Sequence, residues 1–471
     1  MILKNAKIFT RNKLIDGALF IQSGKIQSII KRPVEETLDK IRSQNRKVVE
    51  IDCEKRIILP GIIDIHAHLR DMGQQEKETF QTGTKAALFS GITTVLNMPN
   101  TKPPAISEDQ VKKWMERARN NIYNNVGFIS GVPKNVNEEK IKQILDLGVF
   151  GFKIYPLSPL SEINWNNPDN LLKIIRISAK YRIPIFIHAD YPLPEEEKDN
   201  IKQKIKSGNV KYLKIHNDLY PEENEARFIK YVLTNYEKFV NDNKSKSENL
   251  PKIHFCHISC KESFELLSDL SEDYDVSFEV TPHHLLLSQE IILKNESFGK
   301  VLPPLRKKSN AKFLFGKLKK GEIELIGTDH APHTMKEKSQ QFFEAPSGFP
   351  GFETYTLKIL DKVFENLLPI EYFVKAASEN PAKRFNIFKK GFIEEGYDAD
   401  LIIIEKITST YLNSNLFMSK AKFTPFENLN TLDKSSTVLI WKVLLGGSEI
   451  SLNDPIPKGK MIYRSTIKIL I

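Results

Sequence analysis

Gly61-Ile62-Ile63-Asp64-Ile65-His66-Ala67-His68-Leu69-Arg70 is the stretch that decides the fold. Its apolar residues are typical of a buried strand, and alternate side chains of a strand point to the same face. His66, His68 and Arg70 are therefore expected on one face at the end of this strand. Paired neutral imidazoles are typical ligands of zinc and similar ions, and an arginine suits an anionic ligand. A His-x-His pair alone also occurs on ordinary surfaces, so the rest of the chain must decide.

Composition indicates a globular cytoplasmic protein. The chain has 471 residues, 40% of them hydrophobic, and no run is apolar enough to span a membrane. Its first residues lack the pattern of a secretory signal. The three cysteines, Cys53, Cys256 and Cys260, are too few for a disulfide framework. We interpret Cys256 and Cys260 as small buried residues.

The net charge of +10 raises the question of nucleic-acid binding. However, the lysines are spread along the chain and often alternate with acids, as in Glu195-Glu196-Glu197-Lys198. No basic block interleaved with aromatic residues is present in the sequence. We therefore expect a solvated surface that attracts an anionic substrate, and no nucleic-acid or membrane partner.

From Ile57 onward, short apolar runs alternate with amphipathic stretches. Strands that alternate with helices form parallel βα units, and eight such units predict an α/β fold of the (β/α)8 TIM-type barrel class. The long charged segment 195–250 is expected to contain an insertion, placed at 195–222, as well as a helix. The eight candidate strands are 62–65, 93–98, 126–129, 150–154, 183–187, 252–256, 276–280 and 324–327.

Both ends of the chain have strand-like texture instead. Chain termini often lie close together, so we expect the two ends to form one small β-sandwich domain. The predicted division is 1–57 and 387–471 for the two parts of this domain, and 58–386 for the barrel.

Histidines concentrate where the predicted barrel strands end. Of the ten histidines, only His216 and His254 fall clearly away from these ends. In a barrel of this kind the active site forms at the carboxyl ends of the strands, so such convergence predicts a metal site. The residues at these ends are His66 and His68, Asn100, Lys153, His188, His257, His283 and His284, and Asp329, His330 and His333.

Chemistry suggests roles for these residues. His66, His68 and Asp329 would form one ligand set, with His188 and His257 as part of a second. Two neighbouring cations need a bridging anion, yet the fourth strand carries Lys153 instead of a carboxylate. A buried lysine is readily deprotonated, and its amine can take up carbon dioxide to give a bridging carbamate. Alternatively, Lys153 is an ordinary barrel lysine paired with a carboxylate.

These residues carry a family resemblance over nearly the whole chain. The strongest segments are 60–70, 91–103, 152–155, 327–338 and 344–354. The chain resembles the amidohydrolase superfamily and, within it, is similar to dihydroorotases of the long, class I type. The resemblance implies two zinc ions bridged by carboxylated Lys153, a bridging hydroxide as nucleophile, and Asp329 as general acid and base. It also implies that Arg70, Asn100 and His333 hold the substrate carboxylate.

The implied reaction is the reversible cyclisation of N-carbamoyl-L-aspartate to L-dihydroorotate plus water, a step of pyrimidine synthesis. Hydantoinases, dihydropyrimidinases and allantoinases are similar in their metal residues but typically lack the matched Arg, Asn and His. One departure bears on ring recognition: Leu302 precedes Pro303-Pro304-Leu305-Arg306 where relatives have Asn. Another cyclic amidohydrolase is therefore the alternative, and a non-catalytic scaffold for aspartate transcarbamoylase is a third.

Three further expectations follow. Residues 76–80, Glu-Lys-Glu-Thr-Phe, match the family, but their charges are typical of a solvated helix face. Residues 344–354 form a loop after the eighth strand, which either contacts the substrate ring through its backbone or has no ligand role. The resemblance also implies a homodimer and a possible complex with aspartate transcarbamoylase.

Overall fold

In this computed structural model the described residues are 1–45, 47–206, 211–243, 249–270, 274–428, 435–451 and 457–464. Residues 207–210 of the predicted insertion (195–222) lie outside these ranges, as do residues 244–248. The same is true of residues 429–434, 452–456 and 465–471 in the predicted C-terminal domain part.

A parallel β-barrel forms the centre of the molecule. Its first seven strands pair in sequence order. Residues 325–330 close the ring, because Ile326 bridges Val280 and His330 bridges Ala67, both in parallel. The predicted eight-stranded barrel is thus confirmed, with an eighth strand that pairs only through isolated bridges. The seven regular strands are β6 (Ile62–Ala67), β7 (Ile92–Asn97), β8 (Asn125–Gly131), β9 (Gly151–Ile154), β10 (Pro184–Ile187), β11 (Lys252–Phe255) and β12 (Val276–Phe278).

Helices surround the barrel, and several begin at a polar side chain that caps free backbone N–H groups. The side-chain oxygens of Thr79, Ser107, Asn137 and Asn167 each accept from a backbone N–H two or three residues later. The helices that follow the strands are α2 (Phe80–Phe89), α3 (Glu108–Ala118), α4 (Glu138–Leu145), α5 (Pro168–Tyr181), α6 (Glu195–Lys206), α7 (Tyr212–Leu219), α8 (Glu222–Asn243), α9 (Lys261–Ser268), α10 (Pro282–Leu286), α11 (Lys308–Leu318), α12 (Met335–Lys338), α13 (Phe352–Phe364), α14 (Ile370–Val374) and α15 (Asn380–Arg384).

The barrel interior is filled with apolar side chains. Ile63, Leu96, Ile129, Phe186 and Leu325 come from five different strands and pack in one buried cluster. Side chains from all sides of a closed sheet can meet only inside it, so this cluster is the core of the barrel. The polar residues at the strand ends lie above this core.

The two ends of the chain share one sheet. Its strand order is β15-β14-β13-β5-β1-β2-β3, with β4 also paired to β1. The sheet folds back on itself, because Ile26 N in β3 donates to Tyr397 O just before β13 at 2.9 Å. A small β-domain built from both ends is confirmed, as one curled sheet. Its elements are β1 (Ile2–Thr10), β2 (Lys13–Gln22), β3 (Lys25–Lys31), α1 (Glu35–Gln44), β4 (Glu50–Asp52), β5 (Ile57–Pro60), β13 (Leu401–Tyr411), α16 (Pro425–Asn428), β14 (Ser435–Leu445) and β15 (Ser448–Glu449).

The segment between β13 and β14 packs on the loops at the carboxyl end of the barrel. Phe423 lies in one cluster with Leu213 of α7, Leu305 and Phe349. Ser419 Oγ donates to Glu78 Oε2 at 2.5 Å, next to α2. The segment between β13 and β14 therefore covers part of the end of the barrel where the histidines lie. Among the described helices, none has the length and apolar character needed to cross a bilayer.

Candidate metal and substrate site

His66, His68 and Asp329 meet where the first and eighth strands end. His68 Nε2 lies 3.1 Å from Asp329 Oδ1, and His66 Nε2 lies 3.5 Å from the same oxygen. One possible ligand atom from each of the three residues lies within 4.8 Å of the other two. Two imidazoles and a carboxylate at this spacing form a ligand set suited to a divalent metal.

Asp64 aligns two members of this group. Its carboxylate accepts from the backbone N–H of His66 at 3.1 Å and from the N–H of Thr328 at 3.0 Å. Thr328 directly precedes Asp329, so Asp64 ties the ends of the first and eighth strands together. Burial raises the pKa of Asp64 to about 7. A one-residue change in register would separate His66 from Asp329.

The second group lies across the barrel mouth. His188 Nδ1 lies 3.0 Å from His257 Nε2. The rings of His66 and His257 have centroids 5.1 Å apart, which joins this pair to the first group. Lys153 is buried, and its Nζ donates to Cys256 Sγ at 3.0 Å. The structure thus brings all six predicted ligand residues to one end of the barrel.

Burial keeps the imidazoles of this site neutral. It lowers the pKa of His66, and it lowers those of His68, His188 and His257 well below the usual value of 6.5, with Lys153 adding to the shift in each case. Burial also raises the pKa of Asp329, which His66 and Lys153 oppose. Neutral imidazole is the form that binds metal.

Backbone geometry at three site residues is unusual for side chains with a Cβ. Arg70, His257 and Asp329 have φ angles of +53°, +36° and +46°. Each such residue costs about 1–3 kcal/mol and persists only where its surroundings hold it. Strain at three points around one opening is typical of a functional site.

Arg70 and His333 lie side by side next to the ligand residues. Arg70 Nη2 lies 3.5 Å from His333 Nε2. Asn100 lies on the neighbouring loop, where its carbonyl accepts from Gln74 Nε2 at 2.9 Å. Within the described ranges, Asn100 Oδ1 and Arg70 Nε are buried without a hydrogen-bond partner. Arg70 and His333 are thus brought together, and Asn100 has a free acceptor on an adjacent loop.

The prediction that the charges of residues 76–80 face solvent is wrong at two of three positions. Glu78 is fully buried, with Ser419 on one oxygen and Thr82 on the other, and His330 Nε2 lies 3.6 Å away. Lys77 is only 12% exposed and contacts His333. Lys77 and Glu78 lie in the loop before α2, and this loop faces the barrel mouth, so the expectation of a solvated helix face did not apply to them.

Glu279 is a site residue that the sequence reasoning missed. Its Oε1 lies 2.5 Å from His66 Nδ1 and accepts from the backbone N–H of His257 at 3.3 Å, while its Oε2 lies 3.3 Å from His254 Nε2. A glutamate within the apolar run 276–280 was the available signal, because a buried charge in a strand requires partners. Cys256 is buried as predicted, but it also holds Lys153.

Comparison with known proteins places this geometry in a family. The amidohydrolase family model matches residues 57–426. Dihydroorotases from Methanosarcina acetivorans and Pyrococcus abyssi are each 31% identical to this chain, covering 98% and 97% of it and 95% and 97% of their own lengths.

Solved structures agree on the fold. An L-hydantoinase from Arthrobacter aurescens superposes with a TM-score of 0.83 at 23% identity, covering 98% of this chain and 99% of its own. A dihydropyrimidinase from Brevibacillus agri has a TM-score of 0.81 at 21% identity. The family model spans most of the chain, including the barrel and every residue of the site described above. The chain belongs to the amidohydrolase family.

Proposed function

We propose that this protein is a metal-dependent dihydroorotase. It would interconvert L-dihydroorotate plus water and N-carbamoyl-L-aspartate, in the direction of ring closure during pyrimidine synthesis. The observation that carries this proposal is the adjacency of Arg70 and His333 to the histidine cluster, because a carboxylate-binding pair beside a metal site suits a cyclic amide that bears a ring carboxylate. The relatives of about 31% identity over nearly full length carry the dihydroorotase name.

The residues present fit a metal pair. His68 Nδ1, His188 Nε2 and His257 Nδ1 are buried polar atoms without hydrogen-bond partners among the described residues. In the same ranges, no ion pair includes Lys153, although it is buried, which argues against the ordinary lysine alternative. We propose two zinc ions, one held by His66, His68 and Asp329 and one by His188 and His257, with carboxylated Lys153 as the bridge.

When bound, the metals supply polarisation of the ring carbonyl and activation of the attacking water. The remaining steps belong to side chains of the chain. Asp329 takes a proton from the attacking water and delivers it to the ring nitrogen that leaves. Its burial raises its pKa, so the proton can be held within the site. Arg70, Asn100 and His333 hold the ring carboxylate and so fix which carbonyl faces Asp329.

The test is ring opening of L-dihydroorotate, with metal content measured on the same sample. We expect activity with about two zinc ions per chain. Asp329→Asn is expected to lower kcat by about 10² to 10⁴, and Asp242→Asn, an exposed aspartate at the end of α8, serves as the matched control. Bound metal without ring opening of dihydroorotate would contradict the proposal.

A second candidate is another cyclic amidohydrolase, favoured by Leu302. This residue is partly buried and begins the loop whose Pro303 carbonyl lies 3.1 Å from His284 Nε2. An apolar side chain there removes an amide that could contact the ring. Turnover of hydantoin, dihydrouracil or allantoin in preference to dihydroorotate would establish this candidate. If dihydroorotate is the substrate, Leu302→Asn is expected to lower the KM for dihydroorotate without changing kcat.

Organisation in solution is proposed on the resemblance alone. We propose a cytoplasmic homodimer that can associate with aspartate transcarbamoylase, with domain parts at 1–57, 58–386 and 387–471. Co-elution of the two purified proteins, and the mass of this protein alone by light scattering, test the two associations separately.

A further inference from the structure

We call Arg70, Asn100 and His333 the candidate carboxylate site. Lys77 lies next to it, on the far side of the His333 ring from Arg70. Its Nζ is 3.1 Å from His333 Nδ1, whereas Arg70 Nη2 is 3.5 Å from His333 Nε2. The lysine side chain is 12% exposed and that of His333 is 8% exposed. A nearly buried lysine directed at one ring nitrogen requires an explanation beyond solubility.

Glu337 fixes the position of Lys77. Its Oε1 lies 2.8 Å from Lys77 Nζ. Its Oε2 accepts from the backbone N–H of Thr334 at 2.9 Å, as part of the capping box that begins α12. The carboxylate is therefore held by a helix end, and Lys77 is held by that carboxylate. The ammonium position is preorganised relative to His333.

These contacts fix the proton of His333. An ammonium group only donates hydrogen bonds, so His333 Nδ1 must accept from Lys77, and the single proton of the neutral ring resides on Nε2. This assignment agrees with the carbonyl of Ser347, 3.1 Å from Nε2, which can only accept. Burial lowers the pKa of His333, and the neighbouring Arg70 and Lys77 lower it further, so the ring stays neutral.

The result is a pair of donors that face the same space. His333 Nε2–H, which donates to the Ser347 carbonyl, and the Arg70 guanidinium lie 3.5 Å apart, and neither can accept from the other. A substrate carboxylate here would share the Nε2–H with the Ser347 carbonyl. Two donors at this spacing are stabilised by an anion that accepts from both. We infer that Lys77 is a positioning residue for substrate selection: it holds His333 in the tautomer that donates to the substrate carboxylate. This inference rests on the proposed function.

Kinetics of three variants test the inference. Lys77→Met is expected to raise KM for dihydroorotate about tenfold with kcat changed less than about twofold, since one charge-assisted hydrogen bond is lost. Lys77→Arg retains a donor and is expected to restore most of the affinity. Lys112→Met removes an exposed lysine paired with Glu108 on α3, and is expected to leave both constants unchanged. A KM for Lys77→Met equal to that of Lys112→Met would overturn the inference.

A double-mutant cycle asks whether Lys77 acts through His333. In a His333→Ala background, Lys77→Met is expected to change KM less than about twofold, because the coupled partner is absent. A full and independent tenfold effect in that background would show that Lys77 contributes by another route, such as general charge, and would overturn the positioning role.

Nuclear magnetic resonance gives a readout that needs no turnover. In protein labelled with ¹⁵N-histidine, the ring signals of His333 are those lost in His333→Ala. We expect the parent to carry its proton on Nε2 alone. Lys77→Met is expected to show a mixture of tautomers, because without Lys77 the Glu337 carboxylate, 3.7 Å from Nδ1, competes with the Ser347 carbonyl for the ring proton. A proton on Nδ1 in the parent overturns the inference whether or not dihydroorotate is the substrate. An Nε2 proton without dihydroorotate activity would contradict only the proposed function.

Discussion

Glu279 lies where three histidines meet, and it determines which nitrogen of His66 can bind a metal. With Glu279 on Nδ1 of that ring, Nε2 is left to face Asp329. Although burial favours the neutral acid, His66 and His254 hold the pKa of Glu279 below its usual range. A carboxylate on the non-ligating nitrogen orients the ring and strengthens it as a ligand.

We therefore expect Glu279→Gln to weaken zinc binding about 10- to 100-fold. The amide keeps the shape of the side chain but removes the charge, and with a single oxygen it can no longer offer a separate acceptor to both His66 and His254. Zinc affinity measured by competition with a chelator checks this result. Glu237→Gln removes an exposed glutamate on α8 and serves as the control. Equal affinities in the two variants would show that Glu279 has no such role.

At this scale, residue type and position along a strand were sufficient to predict that these histidines and the aspartate lie together. His66 and His68 follow from the period of a strand, and Asp329 from its place after the eighth apolar run. Glu279 could not be paired with His66, because the two are 213 positions apart and meet only across the closed barrel. Lys77 was missed for a similar reason, since its partners His333 and Glu337 lie more than 250 positions away.

Among the elements, the loop between α12 and α13 is held by two buried lysines. Lys300 Nζ donates to the carbonyls of Phe342, Phe343 and Ala345 at 2.8, 3.2 and 2.6 Å. Lys338 Nζ donates to the carbonyl of Pro346 at 2.9 Å. The next carbonyl along the chain, that of Ser347, contacts His333. The loop thus reaches the candidate carboxylate site, and hydrogen bonds from Lys300 and Lys338 hold its backbone in place.

Lys300→Met is expected to loosen this loop, because three carbonyls lose their donor at once. We expect faster cleavage by chymotrypsin at Phe342 or Phe343, and a lower kcat/KM for dihydroorotate. Limited proteolysis followed by mass spectrometry identifies the cut. Lys294→Met, at an exposed position in the same region, is the control. Cleavage at the parental rate would contradict the role given to Lys300.

Element types were predictable where the periodicity was strong. Seven barrel strands formed where apolar runs predicted them, and the charged segment 195–250 contains α6, α7 and α8 in its described parts. The eighth strand is barely regular, because its residues pair with the first and seventh strands only near Ile326 and His330. A loop held by buried lysines has no periodic signal, so its structure could not be derived from sequence.

All ten histidines of the molecule are largely buried, and burial favours their neutral form. Burial lowers the pKa of every one of the ten, to about 3 for His216 and about 4 for His284. A group whose pKa is lower in the native state is protonated first in the unfolded chain. As pH falls through 6.5, each of these histidines therefore favours unfolding, by about 1.4 kcal/mol per pH unit at most.

Five buried carboxyls act in the opposite direction. Burial raises the pKa of Asp64 and Asp190 to about 7 and of Glu353 to about 8, and it also raises those of Asp329 and Glu379. These groups favour the native state as pH falls, but the histidines outnumber them. We expect the Tm of metal-free protein at pH 5.5 to be about 5 °C or more below that at pH 7.5. A Tm that rises on acidification would contradict this balance.

The plan of the molecule, a barrel with a small domain from both chain ends, was predictable from the change in texture at Ile57. What the sequence did not reveal is how the two parts meet. The segment between β13 and β14 packs over the barrel loops, where Ser419 contacts Glu78 although the two residues are 341 positions apart in the sequence. Such contacts depend on the path of a long connection, which local pattern does not encode.

The strand β5 has consequences for the synthesis of this protein. It pairs with β1 on one side and with β13 on the other, and Arg56 next to it binds Glu405, 349 positions later. At about 5–20 residues per second, β13 leaves the ribosome roughly 17–70 s after β5. During that interval the nascent chain carries an apolar strand with one open edge. The small β-domain is thus begun before the barrel and completed after it, and a chain whose synthesis ends before β13 can pair with another chain through that edge.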